Sequence, residues 1–188
     1  MRWYTAEELI LNAQGAMTKD MPKSLIEQRF DQLLLREGAA LMRLAGAYTD
    51  TRSDRDDLFQ EIALAIWQAL PNFRGESSER TFLFRIAHNR SLAYLANRRT
   101  LRISPDEEER APDPRLDPEQ ELLQEQERQQ LLRAVRRLPV LYRQVTTLAL
   151  EGLSYGEIGE ILAVSESNVG ARLNRARQML RSFMEDKV

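Results

Sequence analysis

The side chains whose types and spacing best suit chemistry are guanidinium and amide groups between Leu153 and Leu180. Apolar residues recur there at i, i+4, i+7 and i+11, which predicts a helix with one buried stripe: Val169, Leu173, Ala176 and Leu180. At about 100° per residue, the opposite side collects small, amide and basic side chains: Ser167, Ala171, Asn174, Arg175 and Gln178, flanked by Arg172 and Arg177. Such side chains fit a major groove and contact base edges and phosphates.

A second helix is predicted directly before this one, joined to it by a very short turn. Ser154 and Glu157 form a capping box at its start, and Ser165 can cap the helix that follows. Two capped helices with a tight turn and a basic outer face predict a helix-turn-helix unit. Ala163 in the turn carries a strain on the order of 1 kcal/mol if it takes a positive φ. The alternative is a pair of ordinary surface helices with solvated arginines.

Another basic set lies between Arg80 and Arg102, a stretch with six arginines and no acidic residue. The segment before it, PNFRGESS, is predicted to be a loop by its Pro, Gly and Ser content. A helix is predicted from near Glu79, with core residues Phe82, Leu83, Ile86 and Ala93 and an outer face of Arg85, His88, Asn89 and Arg90. Aromatic residues interleaved with arginines suit single-stranded DNA and an unstacked base, whereas a plain solvated face is the alternative.

An acidic strip precedes that loop. A helix is predicted from about Arg55 to Leu70, where Pro71 ends it. Its outer side carries acidic and amide residues with a tryptophan beside them: Asp56, Asp57, Gln60, Glu61, Gln68 and Trp67. A tryptophan next to carboxylates is typical of a protein-docking surface, and the alternative is a solvated face with Trp67 in the core.

The same carboxylates raise the possibility of a metal-dependent enzyme, because Asp56, Asp57 and Glu61 offer oxygen ligands for Mg²⁺. They lie along one helix with no converging ligand, and no phosphate-cradling glycine-rich loop accompanies them. We therefore expect no metal site, no cofactor and no catalytic residue.

Composition narrows the remaining classes. The 188 residues are 43% hydrophobic and 30% charged, which is typical of a soluble globular protein of one or two domains. The absence of cysteine excludes disulfides and thiolate metal sites, and a single histidine makes a histidine-based metal site or triad improbable. No run has the length of a membrane span, and the start, MRWYTAEELILNAQ, has acidic residues where a signal peptide has its apolar core. We expect a cytoplasmic protein without membrane insertion.

The net charge of −2 conceals a strong asymmetry. Residues 104–127 hold ten acidic residues against two arginines, so the rest of the chain sums to +6. Four prolines in that stretch disfavour a packed core and predict a linker up to Asp117. The remaining chain therefore has basic surfaces suited to nucleic acid.

The predicted fold is all-α, because helical periodicity recurs and strand-like alternation does not. We expect two small helical domains joined by the acidic linker, the C-terminal one a helix-turn-helix domain. The predicted boundaries are an N-terminal appendage at 1–23, a first domain at 24–102, the linker at 103–117 and a second domain at 118–188.

The order of these parts resembles bacterial RNA polymerase sigma factors of the extracytoplasmic-function (ECF) class, in the sigma-70 family. The resemblance is carried by Asp54 to Arg99 and by Leu138 to Leu180. Few families place a helix-turn-helix after an acidic helix, an FRG-type loop, a basic helix and a linker.

The resemblance implies partners and roles. Core RNA polymerase would dock through its largest-subunit clamp helices, and also through its flap, and an anti-sigma factor is expected by analogy. The implied residues for core binding are Asp56, Asp57, Gln60, Glu61 and Trp67. Those for the −10 promoter element are Asn72, Arg74, Gly75, Ser77, Arg80, Phe82, Arg85, His88, Asn89 and Arg90. Those for the −35 element are Ser167, Asn168, Gly170, Ala171, Arg172, Asn174, Arg175 and Arg177.

Some positions depart from the family pattern. Phe82 stands where tryptophan is frequent, which preserves stacking, and Gly170 and Ala171 replace longer side chains, so the promoter sequence cannot be inherited from relatives. A stand-alone helix-turn-helix regulator remains the alternative. It explains Leu153 to Leu180 but assigns no role to the acidic helix or the basic helix before it.

Overall fold

The computed structural model describes residues 23–101 and 129–185, and every element in those ranges is a helix. The helices are α1 (Lys23–Gly46), α2 (Arg52–Ala69), α3 (Glu79–Leu101), α4 (129–137), α5 (Val140–Leu150), α6 (Tyr155–Leu162) and α7 (Glu166–Glu185), with a short 3₁₀ turn at Leu70–Asn72. The all-α prediction is confirmed. The predicted linker, and the predicted appendage apart from Lys23, lie outside the described residues. No helix within the described ranges is long and apolar enough to cross a membrane.

Helices α1, α2 and α3 pack on one another in an N-terminal bundle. Large apolar side chains from all three helices are less than 2% exposed: Phe30, Leu41, Leu44, Leu58, Ile62, Ile66, Leu83 and Phe84. The predicted start of α2 near Arg55 is three residues late. The Thr51 hydroxyl accepts a hydrogen bond from the Asp54 amide at 3.0 Å, and this N-cap begins the helix at Arg52. Pro71 lies inside the 3₁₀ turn that ends α2.

Helix α3 departs most from the sequence expectation. It packs against α1 and α2 and also against α6, so it is covered on more than one side. His88, predicted on the outer face, is only 3% exposed, while Ala93, predicted in the core, is exposed. Periodicity along one helix does not show which of its faces the neighbouring helices cover.

Helices α5, α6 and α7 form the C-terminal bundle, and the predicted motif is present in it. Gly152 has a φ of +78° in the turn before α6, and Ser154 and Glu157 make the full capping box. The buried stripe of α7 is as predicted, with Val169, Leu173 and Ala176 at most 3% exposed. On α5, Val145 and Leu148 are buried, whereas Leu141 is 44% exposed.

The two bundles share one continuous core. At their contact, Tyr48, which follows α1, is buried, and burial raises the pKa of its hydroxyl to about 12. The Arg136 guanidinium donates two hydrogen bonds to the Gly46 carbonyl at 3.0 and 2.8 Å, and Arg43 forms a two-point pair with Glu151. The contact therefore combines apolar burial with charged hydrogen bonds.

Candidate nucleic-acid interface

The first candidate surface is a pocket between the 3₁₀ turn, the following loop and α3. It encloses about 270 Å³ and is lined by Asn72, Phe73, Arg74, Glu76, Ser77, Phe82 and Arg85. The Phe73 and Phe82 rings lie 4.7 Å apart at 43°, and the Arg29 guanidinium lies 5.2 Å from the centre of the Phe73 ring. Gly75 has a φ of +74°, a conformation that side chains disfavour. The pocket offers aromatic surface together with cations and amides, as needed to hold an unstacked base.

The start of α3 fixes one wall of this pocket. The Ser78 hydroxyl accepts a hydrogen bond from the Thr81 amide at 3.0 Å, and so caps the helix. Glu79 accepts hydrogen bonds from Arg29 at 2.7 Å and from Arg36 at 2.9 Å, both on α1. The bond from Arg36, followed by that from Arg29, lowers the pKa of Glu79. Phe82 is thereby held one turn from an anchored helix end.

Two arginines proposed from the resemblance are already engaged. Arg80 donates to Glu37 at 3.2 Å and to the Glu151 carbonyl at 2.5 Å. Arg85 donates from Nη2 to Glu160 on α6 at 2.6 Å, while its buried Nε has no hydrogen-bond partner. In this arrangement, part of the predicted basic face contacts the C-terminal bundle.

The remaining α3 residues divide into two groups. Asn89 and Arg90 are exposed, but they do not line the pocket. His88 is buried, and burial lowers the pKa of its imidazole to about 4. His88 is therefore neutral at pH 7 and out of reach of a ligand in this conformation.

The second candidate surface is the outer face of α7. Ser167, Asn168, Ala171, Asn174, Arg175 and Arg177 are exposed there, and Gly170 and Arg172 are half-buried. A groove of about 540 Å³ runs beside it, lined by Leu141, Tyr142, Ser165, Ser167, Asn168, Ala171, Arg172 and Arg175. The exposed character predicted from periodicity is confirmed. The contribution of Leu141 and Tyr142 was missed, because it depends on how α5 packs against α7.

The turn between α6 and α7 sets the direction of this face. Ala163 adopts the left-handed conformation with φ 53° and ψ 47°, as the motif requires. A side chain on Gly159 would place its Cβ 2.7 Å from the Val164 carbonyl oxygen, so glycine allows the turn to fold back against α6. The Ser165 hydroxyl accepts a hydrogen bond from the Asn168 amide at 3.3 Å and caps α7 as predicted.

A third surface is the acidic strip on α2. Asp57 and Glu61 are exposed, Gln60 is half-buried, and Asp56 pairs with Arg55 at 2.9 Å. Trp67 is half-buried, with its ring edge-on to the Phe30 ring at a centroid distance of 5.2 Å. It therefore lies neither fully in the core nor fully on an exposed docking surface. Within the described ranges, no three carboxylate or imidazole side chains converge in a way that could hold a metal ion.

Comparisons with known proteins show that this chain matches two sigma-factor family models. Residues 33–100 match the family model for sigma-70 region 2, and residues 128–180 match that for sigma-70 region 4. The ECF RNA polymerase sigma-E factor of Escherichia coli (strain K12) is 32% identical over 164 residues, which cover 82% of this chain and 85% of that protein.

Two further matches are also bacterial sigma factors. The ECF RNA polymerase sigma factor SigE of Mycolicibacterium smegmatis is 30% identical over 158 residues, which cover 82% of this chain but only 61% of that protein's length. The sigma factor RpoE of Bartonella quintana, solved in complex with the anti-sigma factor NepR, superposes with a TM-score of 0.67 at 21% identity. That match covers 86% of this chain and 99% of the other, and it supports the fold.

Proposed function

This chain belongs to the ECF class of RNA polymerase sigma factors, and on that premise we propose that it binds core RNA polymerase and directs initiation at promoters with two elements. The domain at 24–102 docks on core and captures the −10 element, and the domain at 118–188 reads the −35 element. The segment at 103–117 links them. The protein acts by binding and has no catalytic residue of its own.

The observation that carries this proposal is the pocket of about 270 Å³ beside α3. A paired Phe73 and Phe82 supply stacking surface, while Asn72 and Arg74 supply polar contacts for a base edge and its phosphate. Such a pocket serves strand opening, because it stabilises a base outside the duplex. A stand-alone helix-turn-helix regulator, which reads closed duplex, has no use for it.

The exposed face of α7 supports the −35 role. Asn174 and Arg175 are exposed on the second helix of the motif, the position from which side chains reach base edges in the major groove. Arg172 and Arg177 flank them and suit phosphates. Gly170 and Ala171 also lie in this face, and neither has a side chain that can form hydrogen bonds with a base. Direct readout of the −35 bases therefore depends on few side chains.

The acidic strip supports docking on core polymerase. Asp57 and Glu61 are exposed one turn apart on α2, and Trp67 offers a half-buried aromatic edge farther along the same helix. We assign this surface to the clamp helices of the largest subunit. The flap of the polymerase contacts the C-terminal domain, and an anti-sigma factor is a further partner, as the solved RpoE–NepR complex illustrates for its own chain.

Run-off transcription tests the proposal. Purified bacterial core polymerase is given a pool of genomic promoter fragments, with and without this protein. We expect defined transcripts that require the protein and fade with the double variant Asp57→Lys and Glu61→Lys, because charge reversal removes the docking complementarity. Asp31→Lys, a reversal at an exposed residue of α1, is the control and should retain transcription.

The opposite result is also informative. If no transcript depends on the protein, and the protein neither co-elutes with core nor displaces another sigma factor, the sigma role is refuted. A footprint with two-fold symmetry, obtained without polymerase, would then identify a stand-alone regulator.

A further inference from the structure

Charged hydrogen bonds supplement the apolar contact between the two bundles. Arg43 on α1 donates to both carboxylate oxygens of Glu151, at 3.0 and 2.5 Å, and that carboxylate is only 7% exposed. The Glu151 carbonyl accepts a further bond from Arg80. One residue at the end of α5 thus receives arginines from both α1 and α3.

A separate pair lies farther along α3. Arg85 donates to Glu160 of α6 at 2.6 Å, and both side chains remain accessible, 39% and 47% exposed respectively. Because α3 packs along α6 here, the C-terminal bundle contacts the side of α3 that bears Arg80 and Arg85.

These two arginines belong to the set assigned above to the −10 element, so the inference rests on the proposed function. We propose that the C-terminal bundle is an intramolecular competitor of −10 DNA, with the carboxylates of Glu151 and Glu160 holding the free protein in a closed form. Promoter DNA and the closed form use the same guanidinium groups and therefore exclude each other.

The pairing is suited to exchange. In the closed form, Arg85 uses Nη2 but leaves its buried Nε without a partner, an unfavourable arrangement that a phosphate or base edge would correct. Arg80 is held by the Glu37 carboxylate on α1 and by the Glu151 carbonyl, and only the second contact belongs to the C-terminal bundle. At Arg85, DNA therefore replaces an incomplete set of contacts. The apparent affinity of the protein for DNA is then the intrinsic affinity of the open form multiplied by the fraction of molecules that are open.

The test measures closure and DNA binding separately in the full chain. The chain has no cysteine, so Ser53→Cys on α2 and Ser182→Cys on α7, both exposed, accept a fluorescent donor and acceptor. DNA binding is measured by anisotropy with a single-stranded −10 oligonucleotide, found from the transcripts above. The double variant Glu151→Gln and Glu160→Gln removes the carboxylate charges. Glu27→Gln with Asp31→Asn, both on α1, removes the same charge elsewhere.

We expect energy transfer to fall in the Glu151→Gln, Glu160→Gln variant and oligonucleotide affinity to rise about threefold or more, with neither change in the control pair. Oligonucleotide should also lower energy transfer in the unmodified protein. Glu160→Gln alone, at an exposed site, should show the same changes to a smaller degree if the double variant is unstable.

Two results would overturn the inference. Equal energy transfer in all variants would mean that the carboxylates do not hold the bundles together. Opening without a gain in oligonucleotide affinity, or an equal gain in the control pair, would mean that the C-terminal bundle does not compete with DNA. Failure of the sigma role would appear instead in the transcription assay, where no variant would support core-dependent transcripts.

Discussion

Among the glycines of the C-terminal bundle, Gly159 leaves the least room for a side chain, and replacing it with alanine tests how the turn positions α7. The new Cβ would lie 2.7 Å from the Val164 carbonyl oxygen and 3.8 Å from the Glu166 amide nitrogen. The first contact is with backbone of the turn itself, so it is relieved only if α7 moves relative to α6. The variant therefore probes the geometry of the motif directly.

The expected magnitude follows from two opposing effects. Overpacking of this kind costs about 1–3 kcal/mol, and a fixed carbonyl places the cost in the upper part of that range. Alanine in place of glycine in a helix returns about 1 kcal/mol. We expect Gly159→Ala to lower the free energy of unfolding by about 1–2 kcal/mol.

Gly156→Ala in the same helix is the matched control. Its Cβ would lie 3.2 Å from the Glu166 carboxylate oxygen, the end of a flexible side chain that can move aside. The helix-propensity gain then remains, and stability should be unchanged or higher by up to about 1 kcal/mol. The two glycine variants should therefore differ by about 2 kcal/mol.

Urea unfolding followed by far-ultraviolet circular dichroism measures both variants, and anisotropy with duplex −35 DNA reports the direction of α7. Gly159→Ala should weaken that binding, whereas Gly156→Ala should leave it within about twofold, a factor worth about 0.4 kcal/mol. If Gly159→Ala is as stable as the unmodified protein, or if both variants lose stability equally, the steric reasoning is wrong.

Three further predictions concern single side chains. Ala163→Gly removes the left-handed strain of about 1 kcal/mol, but the greater conformational freedom of glycine stabilises the unfolded chain and offsets part of this gain. Urea unfolding should therefore show a free energy of unfolding that is higher by up to about 0.5 kcal/mol rather than lower. Arg175→Ala should weaken −35 binding about tenfold and relax the preference at one base pair, whereas Arg177→Ala should weaken all sequences alike in competition assays. Because burial lowers the pKa of His88 to about 4, the unfolded chain, with a histidine pKa of about 6.5, binds this proton first. The contribution of His88 to the free energy of unfolding is fully present above pH 6.5 and declines by up to about 1.4 kcal/mol per pH unit towards pH 4. In His88→Gln, the difference in urea midpoint between pH 7 and pH 5 should therefore shrink. An unchanged difference would contradict a neutral, buried imidazole.

Most of the individual helices could be predicted because their causes are local. The capping box at Ser154 and Glu157 and the cap at Ser165 involve neighbouring residues, and the stripe through Val169 and Leu173 follows from helical geometry. The exposed face of α7 follows from the same geometry. The left-handed Ala163 was also foreseeable, since a turn this short needs one residue with positive φ.

Part of the pocket beside α3 was expected from the family resemblance rather than from periodicity. The structure brings five of the residues implied for the −10 element around one pocket with Phe73 and Glu76: Asn72, Arg74, Ser77, Phe82 and Arg85. The contact of Phe73 with Arg29 was not foreseen, because it joins segments far apart in the chain. Leu141 and Tyr142 beside α7 escaped prediction for the same reason.

The sequence by itself determined the helical elements, the caps and turns between them, and the charge that each face carries, because these depend on residues within a few positions of one another. Only the tertiary structure decided what covers those faces. It buries His88, pairs Arg85 with Glu160 and directs two arginines to Glu151. The arginine contacts join segments separated by more than 70 residues, a relation that periodicity along one helix does not contain.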